Sequence, residues 1–88
     1  MPNLSVIVPA YNSGKDIEKC LKSIRSSTYK DYELVIVDCN SQDETRLIAN
    51  RYADKLIELR GKPKSIRARG SGVEASSGNI IINVDSDI

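Results

Sequence analysis

The residues best suited to chemistry stand near the end of the chain. Asp85-Ser86-Asp87 follows the β-branched run Ile80-Ile81-Ile82-Asn83-Val84. Side chains of extended backbone alternate with period two, so the pattern predicts Asp85 and Asp87 on one side. Two carboxylates that close repel each other unless a cation or a proton lies between them. Hard divalent ions such as Mg²⁺ or Mn²⁺ suit oxygen ligands and keep positions open for water or phosphate. A D-x-D triplet alone is a weak signal, since most such triplets are solvated loops. Its place after an apolar run of the kind found in strands covered on both faces strengthens it. Ligands of open α/β sheets bind beyond the carboxyl ends of the strands.

Composition narrows the remaining chemistry. The 88 residues contain no histidine, which removes Ser-His and Cys-His catalysis and the commonest zinc ligand. Thirteen Lys and Arg against twelve Asp and Glu leave a net charge of +1, too little for a nucleic-acid field. A chain of this size makes one small domain, burying about 60–65% of its unfolded surface. No apolar run is long enough for a membrane span, and the first residues do not read as a signal peptide. Cys20 and Cys39 are too far apart for a metal-type pair. Cys20 falls on an apolar helix face and reads as a buried thiol, which favours a reducing, cytoplasmic setting.

The elements that must position these groups follow from periodicity. Leu4-Ser5-Val6-Ile7-Val8 predicts a buried strand stopped by Pro9. Tyr11-Asn12-Ser13-Gly14 is turn chemistry, with Ser13 as the expected helix cap and Asp16 in the first turn. Ile17, Cys20, Leu21 and Ile24 recur at i, i+3, i+4 and i+7, one face of a helix. Tyr32–Val37 predicts a second strand ending at Asp38. Ser41-Gln42-Asp43-Glu44 fits a capping box opening a second helix, with Leu47, Ile48 and Tyr52 inward. Lys55–Leu59 reads as a short, charged edge strand, and 65–77 as a third helix. Gly70 and Gly72 in that helix imply close approach to a sheet or ligand, and Gly78 should terminate it. The final strand spans 79–84. The order β-α-β-α-β-α-β calls for a Rossmann-like, three-layer α/β/α fold with a parallel sheet of order 3-2-1-4. That order brings Pro9–Asn12 and Asp85–Asp87 to one crevice at the topological switch.

Four clusters then stand in series: Pro9-Ala10-Tyr11-Asn12, Asp38-Cys39-Asn40-Ser41-Gln42-Asp43, Ala68-Arg69-Gly70-Ser71-Gly72 and Asp85-Ser86-Asp87. Together they resemble the nucleotide-binding half of the GT-A inverting glycosyltransferases of the family 2 type, with its patterns P-x-Y-N-E, V-D-D-x-S-x-D, A-R-N-x-G and D-x-D. The resemblance runs from Leu4 to Asp87. It implies a donor that is a UDP- or GDP-linked sugar, an acceptor it does not identify, and Mn²⁺ or Mg²⁺ as cofactor. By the same resemblance Pro9, Ala10, Tyr11, Asn12 and Asp38 hold the nucleoside, and Arg69 lies near the diphosphate. Asp85 and Ser86 border the nucleotide, and Asp85 and Asp87 hold the metal. A cation, and a guanidinium beside it, would neutralise diphosphate charge as the sugar departs.

Three positions depart from the pattern: Ser13 replaces a glutamate, Cys39 a second aspartate and Gly70 an asparagine. They leave the identity of the base open. Each member also has a plainer reading: Tyr11 as packing, Asp38 as a cap for the second helix region, Arg69 as part of a solvated basic face with Lys62, Lys64 and Arg67. The chain reads as a portion of a longer transferase, 1–88 forming a single partial domain, with the catalytic carboxylate expected beyond Ile88 and no catalytic residue within it. The competing reading is a non-catalytic binding or assembly module on the same fold. A strand at 79–84 left at the sheet edge predicts a homo-oligomer through that edge. No Gly-Lys-Ser/Thr phosphate loop is present, and a nucleophilic D-x-D would follow the first strand, where Pro9-Ala10-Tyr11 stands.

Overall fold

The computed structural model describes residues 3–60 and 65–84. Seven elements follow in the expected alternation: β1 (Leu4–Ala10), α1 (Gly14–Arg25), β2 (Tyr32–Cys39), α2 (Thr45–Tyr52), β3 (Lys55–Leu59), α3 (Ser65–Ala75) and β4 (Ile80–Asn83). The strands form one sheet of order β3-β2-β1-β4, and each neighbouring pair is parallel.

Strand alternation sorts the apolar residues onto two faces. Val6, Val8, Ala10, Leu34 and Ile36 pack with Ile17 and Leu21 of α1 and with Ile48 and Ala49 of α2. Ile7, Val35, Val37 and Cys39 point the other way and meet Ile57, Leu59 and Ala75. The first two helices therefore cover one face, and α3 covers the opposite one. This is the arrangement that right-handed crossovers require when the strand order reverses at β1. The two central strands supply most of the buried residues, as a sheet covered on both faces demands.

Local details depart from the sequence pattern. Pro9 does not stop β1, which continues to Ala10 with Pro9 paired opposite Val37. Pro9 shares the parity of Ile7, whose carbonyl accepts from the Val84 N–H on the β4 side. Its missing donor thus falls beyond the last β1–β4 pair, Ile7 with Asn83, and breaks no ladder bond. Leu47 is 70% exposed rather than inward, because α2 is short and buries the side of Thr45, Ile48 and Ala49. Cys20 is half-buried rather than buried, and that burial pushes its thiol up. β4 is an edge strand in which Ile80, Ile81 and Ile82 are 53%, 38% and 45% exposed, so neither of its faces is fully covered. The third helix ends at Ala75, two residues short of the expected boundary.

Of the two helix glycines, Gly72 makes the expected close approach: an added Cβ would lie 2.5 Å from Ile7 Cγ2. Gly70 does not, since nothing lies within 4 Å of the same position. Gly78 is required by proximity, its Cβ position falling 2.7 Å from the Leu4 carbonyl carbon and the Ser5 nitrogen. No described helix is long and apolar enough to cross a membrane.

Candidate functional site

The carboxyl ends of β1 and β2 lie level, with Ala10 opposite Asp38. The turns that leave them, Tyr11–Ser13 and Asn40–Glu44, are consequently neighbours. Both contain an asparagine in the left-handed region, Asn12 at φ 42° and Asn40 at φ 63°, a conformation Asn tolerates better than most residues.

Reciprocal hydrogen bonds join the turns. The Asn12 N–H donates to Ser41 Oγ at 3.0 Å, and the Gln42 N–H donates to Asn12 Oδ1 at 2.7 Å. The Ser13 N–H donates to Thr45 Oγ1 at 2.7 Å, and the Gly14 N–H to Asp43 Oδ2 at 3.2 Å. Asp43 also accepts from the Thr45 N–H at 2.9 Å and from the Thr45 hydroxyl. Those Thr45 bonds, with the Gly14 N–H adding to them, hold the Asp43 carboxyl below the usual carboxylate range. One carboxylate thus serves the amino ends of two helices, where orphan N–H groups and the helix dipole favour negative charge.

The expected caps are therefore replaced. Ser13 occupies the cap position of α1 without capping it, its hydroxyl donating to the Tyr11 carbonyl. The Ser41–Glu44 capping box does not form either. Ser41 turns back to Asp38, and α2 begins at Thr45 on the Asp43 carboxylate.

Asp38 is 1% exposed. Its Oδ1 accepts from the Ser41 hydroxyl at 2.5 Å and its Oδ2 from the Ser41 N–H at 3.1 Å. Arg46 Nε lies 3.4 Å from Asp38 Oδ2 and 3.5 Å from Glu58 Oε1, while Arg46 Nη2 donates to the Ser41 carbonyl at 2.8 Å. These groups border an open cleft of about 320 Å³ lined by Asp38, Asn40, Arg46, Glu58, Leu59 and Arg60. A volume of that order suits a nucleoside-sized ligand. Its lining places carboxylates and guanidinium groups together, with both Asp38 oxygens already engaged by Ser41 and Arg46.

Of the residues singled out from the sequence, the structure brings together Pro9, Ala10, Tyr11, Asn12 and Asp38. Tyr11 is 46% exposed, so packing does not account for its ring. Arg69 lies on α3. Asp85, Ser86 and Asp87 lie outside the described residues, as does the expected carboxylate pair of the metal site. Among the described residues no group of three or more His, Cys, Asp or Glu side chains is placed to hold a metal. Sequence reasoning missed Thr45, Arg46, Glu58 and Arg60. The legible signal was the excess of hydroxyl and carboxylate groups between Ser41 and Thr45, more than a single helix cap uses.

A parallel sheet ordered 3-2-1-4, with a polar turn cluster at its switch point, defines a fold of the GT-A type. The chain superposes on the mannosyltransferase PcManGT of Pyrobaculum calidifontis, solved with GDP-Man and Mn²⁺, with a TM-score of 0.90. Identity there is 29%, over 98% of this chain and 28% of that one. Against S. aureus TarS 1-349 in complex with UDP-GlcNAc the TM-score is 0.87 with 32% identity, covering 99% of this chain and 27% of that one. Among curated relatives, glycosyltransferase AglE of Haloferax volcanii is 38% identical over 99% of this chain and 31% of its own length. Residues 5–88 match the family model for glycosyl transferase family 2. The chain belongs to that family, and it spans about a third of the length of AglE.

Proposed function

We propose that this chain forms the donor-binding portion of a metal-dependent glycosyltransferase, taking a nucleoside-diphosphate sugar, UDP- or GDP-linked, for transfer to an acceptor. The observation that carries this reading is the convergence of an exposed Tyr11, a clasped pair of turns and the Asp38–Arg46–Glu58 cleft at the carboxyl ends of adjacent strands. Neighbours of the same fold were solved with GDP-Man and Mn²⁺ and with UDP-GlcNAc, which supports the ligand class. In this reading Tyr11 stacks on the base, with Pro9, Ala10 and Asn12 beside it. Asp38 acts through Ser41 and Arg46, because its oxygens are already engaged. Arg69 is the proposed partner of the diphosphate, and Asp85 and Ser86 are proposed partners of the nucleotide.

The metal reading rests on donor chemistry. Asp85 and Asp87 supply hard oxygen ligands, and the Val84 N–H bond to the Ile7 carbonyl brings the chain to the carboxyl side of β1 immediately before them. A bound Mn²⁺ or Mg²⁺ would neutralise diphosphate charge. Calorimetric titration of the chain with UDP and GDP, each with and without Mn²⁺, tests the reading. Metal-dependent binding should appear with one nucleotide and vanish in Asp87→Ala. Binding unchanged in that variant would sink the metal assignment.

The reading extends to setting and assembly. A cytoplasmic setting is part of the proposal and rests on the sequence reading of Cys20 as a thiol. The exposed isoleucines of the β4 edge support self-association through 79–84. Sedimentation should then show a dimer at micromolar concentration that Ile81→Lys shifts toward monomer.

A further inference from the structure

We infer that Ser41 is a positioning residue that sets Tyr11 for the nucleotide, acting through the backbone of Asn12. The inference rests on the donor-binding reading above and deepens it. Ser41 has one hydroxyl proton and lone pairs to spare. A carboxylate can accept but not donate, so the Asp38 Oδ1 at 2.5 Å takes that proton and orients the hydroxyl. The lone pairs then face the Asn12 N–H at 3.0 Å. Ser41 is itself fully buried, so water does not compete for either bond.

Asn12 is the residue that needs such a hold. It stands at φ 42°, a region Asn reaches more readily than most residues but that still has to be selected over extended backbone. Two bonds impose it here: Ser41 Oγ on its N–H, and the Gln42 N–H on its side-chain oxygen. The peptide linking Tyr11 to Asn12 carries that N–H, so fixing its plane fixes the backbone from which the exposed Tyr11 ring projects. Arg46 completes the support from below, donating to the Ser41 carbonyl while ion-paired with Asp38. Tyr11 is 46% exposed, and the clasp behind it sets the backbone from which its ring projects.

A double-mutant cycle on nucleotide affinity tests this, using the 88-residue chain with UDP and GDP, each in the presence of Mn²⁺. Ser41→Ala should weaken the bound nucleotide about fivefold, the size of one lost buried hydrogen bond. In a Tyr11→Ala background the same change should cost less than about twofold, because coupled residues are not additive. Should Ser41→Ala fail to fold, Ser41→Cys serves. It keeps the shape of the side chain, offers only a weak donor and acceptor to Asp38 and the Asn12 N–H, and should show the same coupling to Tyr11. Losses that multiply, with equal fold-change in both backgrounds, would mean Ser41 only stabilises the fold and overturn the inference. A harmless Tyr11→Ala would overturn it too while leaving the donor-binding reading intact. Absence of any nucleotide binding by the unmodified chain would overturn both.

Discussion

The two ends of the sheet are built on the same three-part device. At the carboxyl end Asp38 accepts from the Ser41 hydroxyl, which accepts from the Asn12 N–H. At the amino end Glu33 accepts from the Ser5 hydroxyl at 2.6 Å, which accepts from the Gly78 N–H at 2.8 Å. The surroundings of the two devices differ. Glu33, 6% exposed, also takes the Ser77 N–H at 2.5 Å, the Ser77 hydroxyl at 3.1 Å and the Lys55 ammonium at 3.0 Å. Lys55 in turn donates to the Ala75 carbonyl at 2.7 Å. Every arm of that network returns to the protein, and it fastens the end of α3 to β1, β2 and β3. The carboxyl-end device borders an open cleft and backs an exposed aromatic ring. One carboxylate–serine–amide chain closes a fold, and the other lies beside an open cleft where the proposed ligand would sit.

The largest expected effect separates the two ends by stability. Glu33→Ala leaves Lys55, Ser5 and the Ser77 N–H without their common acceptor, and should cost about 3 kcal/mol of folding free energy. Urea denaturation reads that loss, while nucleotide affinity per folded molecule should stay within about twofold, since surroundings this distant rarely couple. Burial alone would raise the Glu33 carboxyl, but hydrogen bonds from Ser5, Ser77 and Lys55 outweigh it and hold the group at about 2, against an ordinary 4.5. The folded state therefore binds its proton later than the unfolded chain does. The resulting stability is full above about pH 4.5 and is lost as pH falls toward 2. Glu33→Gln should flatten the stability curve across that window. A curve as steep as that of the unmodified chain would place the acid sensitivity elsewhere.

Tyr11→Ala should do the reverse. Stacking of a base on an aromatic ring is worth about 2 kcal/mol, so calorimetry should record a loss of that order in nucleotide affinity. The stability change should stay within about 0.5 kcal/mol, as for most surface positions. A stability loss comparable to that of Glu33→Ala would erase the contrast between the two ends.

How much of this contrast the sequence revealed depends on the range of the contacts. The inward face of α1 was legible because it rests on local periodicity at Ile17, Leu21 and Ile24. Element and sheet order were legible because alternating strands and helices joined by right-handed crossovers admit few topologies. The turn residues Tyr11 and Asn12 were legible as turn chemistry. The amino-end network was not, because it joins Ser5, Glu33 and Ser77 across 28 and 44 residues. Its signal emerges once the strands are registered: Ser5 and Glu33, polar residues inside apolar strands, stand directly opposite each other. The capping residues were misread for a different reason. Ser13 and Ser41 have cap chemistry by type, but acceptors close by, the Tyr11 carbonyl and the Asp38 carboxylate, take their hydroxyl protons, and Asp43 serves the helix ends instead.

The smallest expected effect falls at Gly70, one of two glycines of α3, the helix that the amino-end network fastens at its end. Gly72 and Gly70 look alike in sequence, each a helix-weakening residue in one turn of one helix. Their surroundings set the sign of substitution. At Gly72 an alanine Cβ would meet Ile7 Cγ2 at 2.5 Å and Cδ1 at 3.2 Å. Ile7 is fully buried in the central strand and has no room to yield. Gly72→Ala should therefore lift α3 from the sheet and cost about 2 kcal/mol through overpacking, opposing what Glu33 holds in place. At Gly70 nothing lies within 4 Å of the added carbon, so alanine brings only its better helix propensity and a less flexible unfolded chain. Gly70→Ala should stabilise by about 1 kcal/mol, and thermal or urea unfolding of the two variants gives the comparison directly. If Gly70→Ala destabilises, a contact at that position outweighs propensity. If both variants are neutral, α3 docks through the Ser77–Glu33 network alone and its packing on Ile7 contributes little.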